Sequence, residues 1–268
     1  MIFLLAGTSD ARELAVKVKK EGYKVLASVV TEEAAKELEK EDIQVRTGRL
    51  DVENMEKVFH EEEISLIVDA SHPFAEEASK NAIEAAKNSG LHYIRYERAS
   101  INTYDNLVVK VESYQEAAEF AAKRGGNIML TTGSKTLDIF AKRLIGLDGV
   151  RLVCRMLPRI ENMEKCKELG VEQKNIIALQ GPFTQDLNKA LYEQFGITTM
   201  ITKESGKRGS FDEKVTSALE LGIEVILIER PDINYGDKGS TTEEMLNKIE
   251  SSYERGTEKW TSPQILNR

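Results

Sequence analysis

The chain has 268 residues, 31% of them charged, with a formal net charge of −8, which excludes a protein built for non-specific nucleic-acid binding on a basic face. No apolar run approaches the ~20 residues of a membrane span, and the start, Met1-Ile2-Phe3-Leu4-Leu5-Ala6-Gly7, lacks the basic region of a signal peptide. Cys154 and Cys166 have no CxxC spacing and no matching histidine cluster, so they read as reduced thiols of a cytosolic protein with no metal site.

The first predicted strand, 2–6, enters the turn Gly7-Thr8-Ser9-Asp10. A helix follows over 11–20, with Leu14, Ala15 and Val18 on one face. Asp10 and Glu13 have capping-box spacing, and Ser9 is the alternative cap. Many dinucleotide-binding domains open on such a unit. The full glycine fingerprint is missing, because Ser9 and Arg12 stand where later glycines would fall. The Thr8 and Ser9 hydroxyls and the helix N–H groups still suit a phosphate.

A second strand over 23–30 leads to Thr31, which caps a Glu/Lys-rich helix running to 40. A short strand over 43–46 precedes Thr47-Gly48-Arg49, and Asp51 opens a helix ending near 62. Strand 66–69 then delivers Asp69, Ser71 and His72 into a turn whose exit Pro73 sets, with a helix starting at Phe74 or Ala75. In open α/β sheets ligands sit outside the carboxyl ends of strands, so this run is a site candidate. The plainer reading has Asp69 capping a helix and His72 as a hydrogen-bonded loop residue. The helix runs to 88 and a strand covers 92–96. Near-continuous apolar strands alternating with helices argue a parallel sheet covered on both faces.

Residues 97–107 have no period and read as an interdomain connection. A second series follows, with strands at 108–111, 127–132, 150–155, 176–179, 199–202 and 224–228 and a helix at 114–123. Its turns Thr132-Gly133-Ser134, Gln180-Gly181-Pro182-Phe183 and Lys203-Glu204-Ser205-Gly206-Lys207-Arg208-Gly209 carry glycine. Glycine lets backbone approach a ligand and equally makes plain turns; the succession points to a ligand-facing rim. Ser210 and Glu213 form another capping box. Ile94-Arg95-Tyr96-Glu97-Arg98 is echoed by Ile226-Leu227-Ile228-Glu229-Arg230, each closing a strand. A helix over 242–253 and a polar end with Trp260 complete the chain. The fold expected is α/β, with two doubly wound, mainly parallel domains at 1–98 and 107–235 and a tail at 236–268.

These runs together resemble the precorrin-6A reductase family of cobalamin biosynthesis, including its cobalt-precorrin-6A branch. The matching features are Gly7-Thr8-Ser9-Asp10-Ala11-Arg12, Val45-Arg46-Thr47-Gly48 and Asp69-Ala70-Ser71-His72-Pro73-Phe74-Ala75. In the second half they are Thr132-Gly133-Ser134, Gly181-Pro182-Phe183, Thr202-Lys203-Glu204-Ser205-Gly206, Lys214 and Glu229-Arg230-Pro231. The Asp69–Ala75 run is the most specific. The chain departs from the family at Ala6, where glycine is common, at Ser71, where threonine is usual, and at Ala99 and Ile101, where proline and tryptophan are familiar.

The resemblance implies two Rossmann-like domains with a nicotinamide nucleotide, NADPH or NADH, in the cleft between them. It implies hydride reduction of one double bond in an anionic tetrapyrrole, precorrin-6A or its cobalt form. Gly7, Thr8 and Ser9 would face the cofactor phosphates, and Asp69, Ser71, His72, Pro73 and Phe74 the ribose and nicotinamide. His72 and Asp69 are the catalytic candidates, although water could supply the proton. Ser28 holds the position where an acidic residue favours NAD, and Arg46, with Thr47 and Gly48, suits a ribose phosphate, which inclines the reading to NADPH. Many acetate and propionate arms on the substrate call for cations: Lys135, Arg155, Lys203, Lys207 and Arg208 stand at strand ends, Lys203 foremost. Gly133, Ser134, Gly181, Pro182, Phe183, Ser205 and Gly206 complete the expected substrate side. Two other readings remain open: a two-lobed binding protein without turnover, and a cofactor-free tetrapyrrole enzyme.

Overall fold

The computed structural model describes residues 1–98, 107–204 and 211–258. The first half runs β1 (Ile2–Leu5), α1 (Ser9–Lys20), β2 (Val25–Val29), α2 (Glu32–Glu39), β3 (Gln44–Thr47), α3 (Val52–Glu61), β4 (Leu66–Asp69), α4 (Glu76–Ser89) and β5 (His92–Tyr96). The second runs β6 (Val109–Val111), α5 (Tyr114–Arg124), β7 (Gly126–Leu130), α6 (Leu137–Leu144), β8 (Val150–Met156), α7 (Ile160–Glu168), β9 (Ile176–Ala178), α8 (Gln185–Gln194), β10 (Thr199–Lys203), α9 (Phe211–Glu220) and β11 (Glu224–Ile228). The chain closes with β12 (Lys238–Gly239) and α10 (Thr242–Glu258).

The strands form two six-stranded sheets in which every pairing is parallel. The first has the order β3-β2-β1-β4-β5-β12, that of a doubly wound dinucleotide-binding sheet, and reverses direction between β1 and β4. The second has the order β9-β8-β7-β10-β11-β6 and reverses between β7 and β10. The expected α/β class is therefore what the chain adopts.

Side-chain alternation explains the double covering of the first sheet. Ile2 and Leu4 pack with α1, α2 and α10, while Phe3 and Leu5 pack with α3 and α4. Each large apolar side chain buried this way contributes about 1.5–3 kcal/mol. In the second sheet Met129, Val153, Met200, Val225 and Leu227 share a core with Tyr192, Val215 and Ala218 of the helices.

The sequence separated a tail at 236–268; of it, the described residues 236–258 pack with the first unit, which takes in residues 1–98 and 232–258, while 107–204 and 211–231 form the second. The reason is hydrogen-bond satisfaction at an edge: Arg95 N donates to Asp237 O and Glu97 N to Gly239 O, each at 2.9 Å. Met245 and Ile249 of α10 are fully buried in the first core. The helix caps also differ in one place. Thr8, not Ser9 or Asp10, caps α1, its Oγ1 accepting from Ala11 N at 3.3 Å. Most of the 97–107 connection, the departures at Ala99 and Ile101, the Ser205–Ser210 stretch with its capping box, and Trp260 lie outside the described residues.

Candidate functional site

The first sheet builds a rim at its reversal point. Leu5 sits in register with Ser28 on one side and Asp69 on the other, so the turns after β1 and β4 leave the sheet side by side. They touch: Thr8 Oγ1 lies 3.4 Å from Ala70 O, its acceptor. Gly7 is exposed, and a side chain built there would meet nothing within 4 Å, so the backbone at the amino end of α1 is open. Free helix N–H groups and a bare backbone form the kind of cradle that takes a diphosphate. Arg98 adds a cation. Its Nη2 donates to Thr8 Oγ1 at 2.6 Å, and its Nε and Nη2 hold both Asp10 oxygens. Burial pushes the Asp10 carboxyl up, but the Arg98 bonds outweigh it and leave Asp10 below its usual range.

Beneath this rim lies a buried ionic network. Asp69 and Arg95 are both 0% exposed. One Asp69 oxygen accepts from Ser71 N and faces Arg95 Nη1, each at 2.9 Å. The other accepts from Ser79 Oγ at 2.6 Å and Tyr93 OH at 2.7 Å. Arg95 Nη1 also donates to Ser71 Oγ at 3.0 Å, its Nε to Glu97 at 2.9 Å, and its guanidinium lies 4.7 Å from the Tyr235 ring centre. Burial raises the Asp69 carboxyl, and Arg95 with the three hydrogen bonds overcomes it, so Asp69 stays an anion. Every lone pair of that carboxylate is used, so Asp69 shapes the turn and has none left for a ligand.

His72 is different: it is partly exposed, and its Nδ1 accepts from Phe74 N at 3.1 Å. An accepting Nδ1 assigns the proton of the neutral ring to Nε2. Pro73 is buried and fixes the turn, and the Phe74 ring lies 5.9 Å from the imidazole. On the far side, Ser28 pairs in register with Arg46, Thr47 ends β3 in register with Val29, and Gly48 follows. Gly48 has a φ of 112°, a conformation in which a side chain would be strained.

The second unit has a cavity of about 270 Å³ at the carboxyl ends of its strands. Thr131 and Gly133 bound it after β7, Arg155, Met156 and Leu157 after β8, and Leu179, Gly181, Pro182 and Phe183 after β9. Lys214 of α9 closes the wall. Arg155 is buried and pinned: Nη1 donates to Asn188 Oδ1 at 2.7 Å, and the guanidinium lies 4.5 Å from the Phe183 ring centre. A Cβ at Gly181 would stand 3.0 Å from the Phe183 ring, so a larger residue there would have to displace that ring. Lys203 ends β10 with its ammonium 5.5 Å from the Tyr114 ring centre, and burial, then repulsion from Lys135, lowers it to about 8. Burial, then Arg155 and Lys203, lowers Lys214 to about 7.

The structure thus brings Gly7, Thr8 and Ser9 together with Ser71, His72, Pro73 and Phe74, and sets Ser28, Arg46, Thr47 and Gly48 along the same sheet edge. Gly133, Arg155, Gly181, Pro182 and Phe183 line one cavity; Ser134 and Lys135 follow on the same turn but are not among its walls. Ser205, Gly206, Lys207 and Arg208 lie outside the described residues. Sequence reading gave no role to Lys214, Arg98 or Asn188. Lys214 stands in an amphipathic helix next to the buried Val215, where a lysine reads as a solvated face; only the quoted family-like pattern marked it. Among the described residues no His/Cys/Asp/Glu group could hold a metal ion and no helix is long and apolar enough to cross a membrane.

Comparison with known proteins gives consistent results. A family model described as precorrin-6x reductase CbiJ/CobK matches residues 1–250. The chain is 59% identical over 250 residues, 93% of its length and 98% of the relative's, to a cobalt-precorrin-6A reductase of Priestia megaterium. It is 38% identical over 234 residues, 86% of this chain and 87% of the other, to a cobalt-precorrin-6A reductase of Salmonella typhimurium. A solved structure of a CobK precorrin-6A reductase shares the fold, with a TM-score of 0.77 at 22% identity over 94% of this chain and 96% of that one.

Proposed function

We propose that this chain, which belongs to the precorrin-6x reductase family, reduces one ring double bond of cobalt-precorrin-6A to the 6B form with NADPH as the hydride source. It is an oxidoreductase of corrin-ring synthesis that acts on a carbon–carbon double bond and uses a nicotinamide nucleotide. The observation that carries the mechanism is the pairing of an open Gly7-Thr8-Ser9 turn with the Ser71-His72 turn at one reversal point.

Gly7, Thr8, Ser9 and the amino end of α1 hold the diphosphate, with Arg98 as the cation that a missing glycine fingerprint does not supply. A nicotinamide nucleotide bound there supplies the hydride. Ser71, Pro73 and Phe74 shape the wall beside it, and the Nε2–H of His72 is the proton-bearing group of that turn. Asp69 is a positioning residue: it fixes Ser71 through its backbone N–H and the Arg95–Ser79–Tyr93 network. The preference for NADPH rests on β2, which ends in Ser28 and Val29 without a carboxylate, and on Arg46 in register beside it. Gly133, Ser134, Lys135, Arg155, Gly181, Pro182, Phe183 and Lys203, with Ser205 and Gly206, serve the anionic macrocycle.

The test is the loss of reduced-nicotinamide absorbance on adding cobalt-precorrin-6A, run with NADPH and NADH in parallel. Oxidation favouring NADPH supports the reading. Binding of both ligands without oxidation would make the chain a two-lobed binding protein, and equal rates with NADH would remove the role given to Arg46.

A further inference from the structure

The first unit meets its inward-facing guanidinium groups with acids: Arg95 with Asp69 and Glu97, and Arg98 with Asp10. Arg155 in the second unit is only 7% exposed, yet no carboxylate among the described residues pairs with it. Its hydrogen-bond partner is an amide: Nη1 donates to Asn188 Oδ1 at 2.7 Å. Asn188 is fully buried, and Thr184 orients it. Nδ2 donates to Thr184 O at 2.9 Å, and a carbonyl can only accept, so the amide oxygen is the end turned to Arg155. The Phe183 ring, 4.5 Å from the guanidinium, covers one face of its plane. Held at one nitrogen and one face, Arg155 keeps its Nε–Nη2 edge for the cavity it lines, and neither nitrogen is sealed off in the way that Nη2 of Arg95 is. Arg155 and Lys214 are the charged residues among the described walls, and Met156, Leu157, Leu179 and Phe183 make the lining apolar. At about 270 Å³ the cavity falls below the ~300–1,000 Å³ that encloses a whole drug-sized ligand, so it takes one arm of a macrocycle and not the ring system.

We propose that Arg155 selects the substrate by one acetate or propionate arm, and that Asn188 is its positioning residue, an amide that fixes the guanidinium without neutralising it. The inference rests on the anionic-macrocycle reading above and adds to it a residue that touches no ligand. The physical point is the choice of amide over acid. An aspartate at 188 would hold Nη1 at least as firmly, because charge-assisted hydrogen bonds are the stronger kind. It would also cancel the cation inside an apolar wall, where a charge pair is tight, and an arriving carboxylate would meet a completed ion pair. A neutral acceptor supplies geometry alone. Tyr192, one helical turn further along α8, is a phenol that burial keeps protonated, so that turn brings no negative charge to Arg155 either. The Nε–Nη2 edge left open matches a carboxylate in bidentate fashion. With the guanidinium already in place, the arm spends no binding free energy on ordering it.

The experiment is titration of the full chain with cobyrinic acid, a corrin whose acetate and propionate arms are free carboxylates, and with the same corrin amidated on every arm. The readout is the ratio of the two dissociation constants, which a general loosening of the site leaves unchanged and a cancelled cation lowers. The wild type should favour the acid. Arg155→Gln and Asn188→Asp should each cut that preference by about tenfold or more, with the amidated corrin bound as in the wild type. Asn188→Ala, which loosens the guanidinium but keeps its charge, should cut it less than Asn188→Asp. Equal binding of the two corrins by the wild type, or a preference unchanged in Arg155→Gln, overturns the inference while NADPH oxidation with cobalt-precorrin-6A keeps the reductase reading intact. Asn188→Asp that keeps the wild-type preference, or weakens acid and amide equally, overturns the positioning role. Should Asn188→Asp fail to fold, the double variant decides: in the Arg155→Gln background, Asn188→Ala should cost no further preference, and an added loss overturns the role. No corrin binding by the wild type together with no oxidation of NADPH overturns the reading on which the inference rests.

Discussion

The two sheets end in similar turns yet treat charge in opposite ways. At the reversal point of the first, each cation is matched: Arg95 by Asp69 and Glu97, Arg98 by Asp10. At that of the second, Arg155, Lys203 and Lys214 gather, burial and neighbouring cations lower both lysines, and Glu204 of the following turn is paired to Arg230 at 3.4 Å. The charges of the first rim are therefore balanced by its own residues. Under the proposed function, a nucleotide common to many enzymes would suit the balanced rim and a polyanionic macrocycle the rim that gathers cations.

The sharpest way to break the comparison is to unbalance the first rim. Asp69→Ala leaves Arg95 as an uncompensated buried charge, and we expect unfolding in denaturant to show a loss of about 3–5 kcal/mol. A loss under ~1 kcal/mol would mean that the network is not what holds this turn. Asp69 and Asp10 both have carboxyls lowered by folding. Their contribution is present above the unfolded value of about 3.9 and is lost as pH falls through the lowered folded values. Acid unfolding of the wild type should therefore set in below about pH 4, and Asp69→Ala should flatten that slope.

The second rim should respond in binding rather than in stability. Lys203→Ala removes a cation from the cavity's edge, and an apparent Michaelis constant for the macrocycle raised by the equivalent of ~1.5–3 kcal/mol is expected, with NADPH affinity unchanged. Separate titrations with each ligand check this; equal losses would move Lys203 to the nucleotide. Thr8→Val should do the reverse, weakening NADPH by about 1–2 kcal/mol while sparing the macrocycle. A thermal scan of the same variant should show a smaller cost, about 1 kcal/mol, from the lost cap on α1.

The smallest effect concerns pH. Lys214 is lowered by folding to about 7, so between that value and about 10.4 the unfolded chain binds more protons and stability rises with pH. Lys214→Met lacks this rise. It should melt about 2–4 °C above the wild type near pH 6 and lose that lead by about pH 9. A gap independent of pH would show that Lys214 is solvated.

Much of this contrast was legible in the chain. The βα alternation and the apolar strands are local signals, and they identify two parallel sheets. The Asp69–Ala75 run, too, declared itself by packing a carboxylate, a hydroxyl and an imidazole into one strand end. Its internal division of labour did not: that Asp69 is spent on Arg95, Ser79 and Tyr93 depends on side chains up to 26 positions away meeting in the core. Lys214 was hidden for the same reason, since only the fold brings it to Arg155. The two-residue β12 is shorter than any periodicity can reveal, and its pairing with β5 is a tertiary fact.

That short strand has a consequence for how the molecule is made. The second unit is an insertion between β5 and β12 of the first. As the chain leaves the ribosome, β1 to β5 emerge early, but the amides of Arg95 and Glu97 have no partner until residues 237–239 follow. Over that interval the nascent first unit carries an open sheet edge and a core face not yet closed by Met245 and Ile249. The first unit is begun first and finished last. A truncation before residue 237 would leave a template for aggregation even though β1 to β5 are all present.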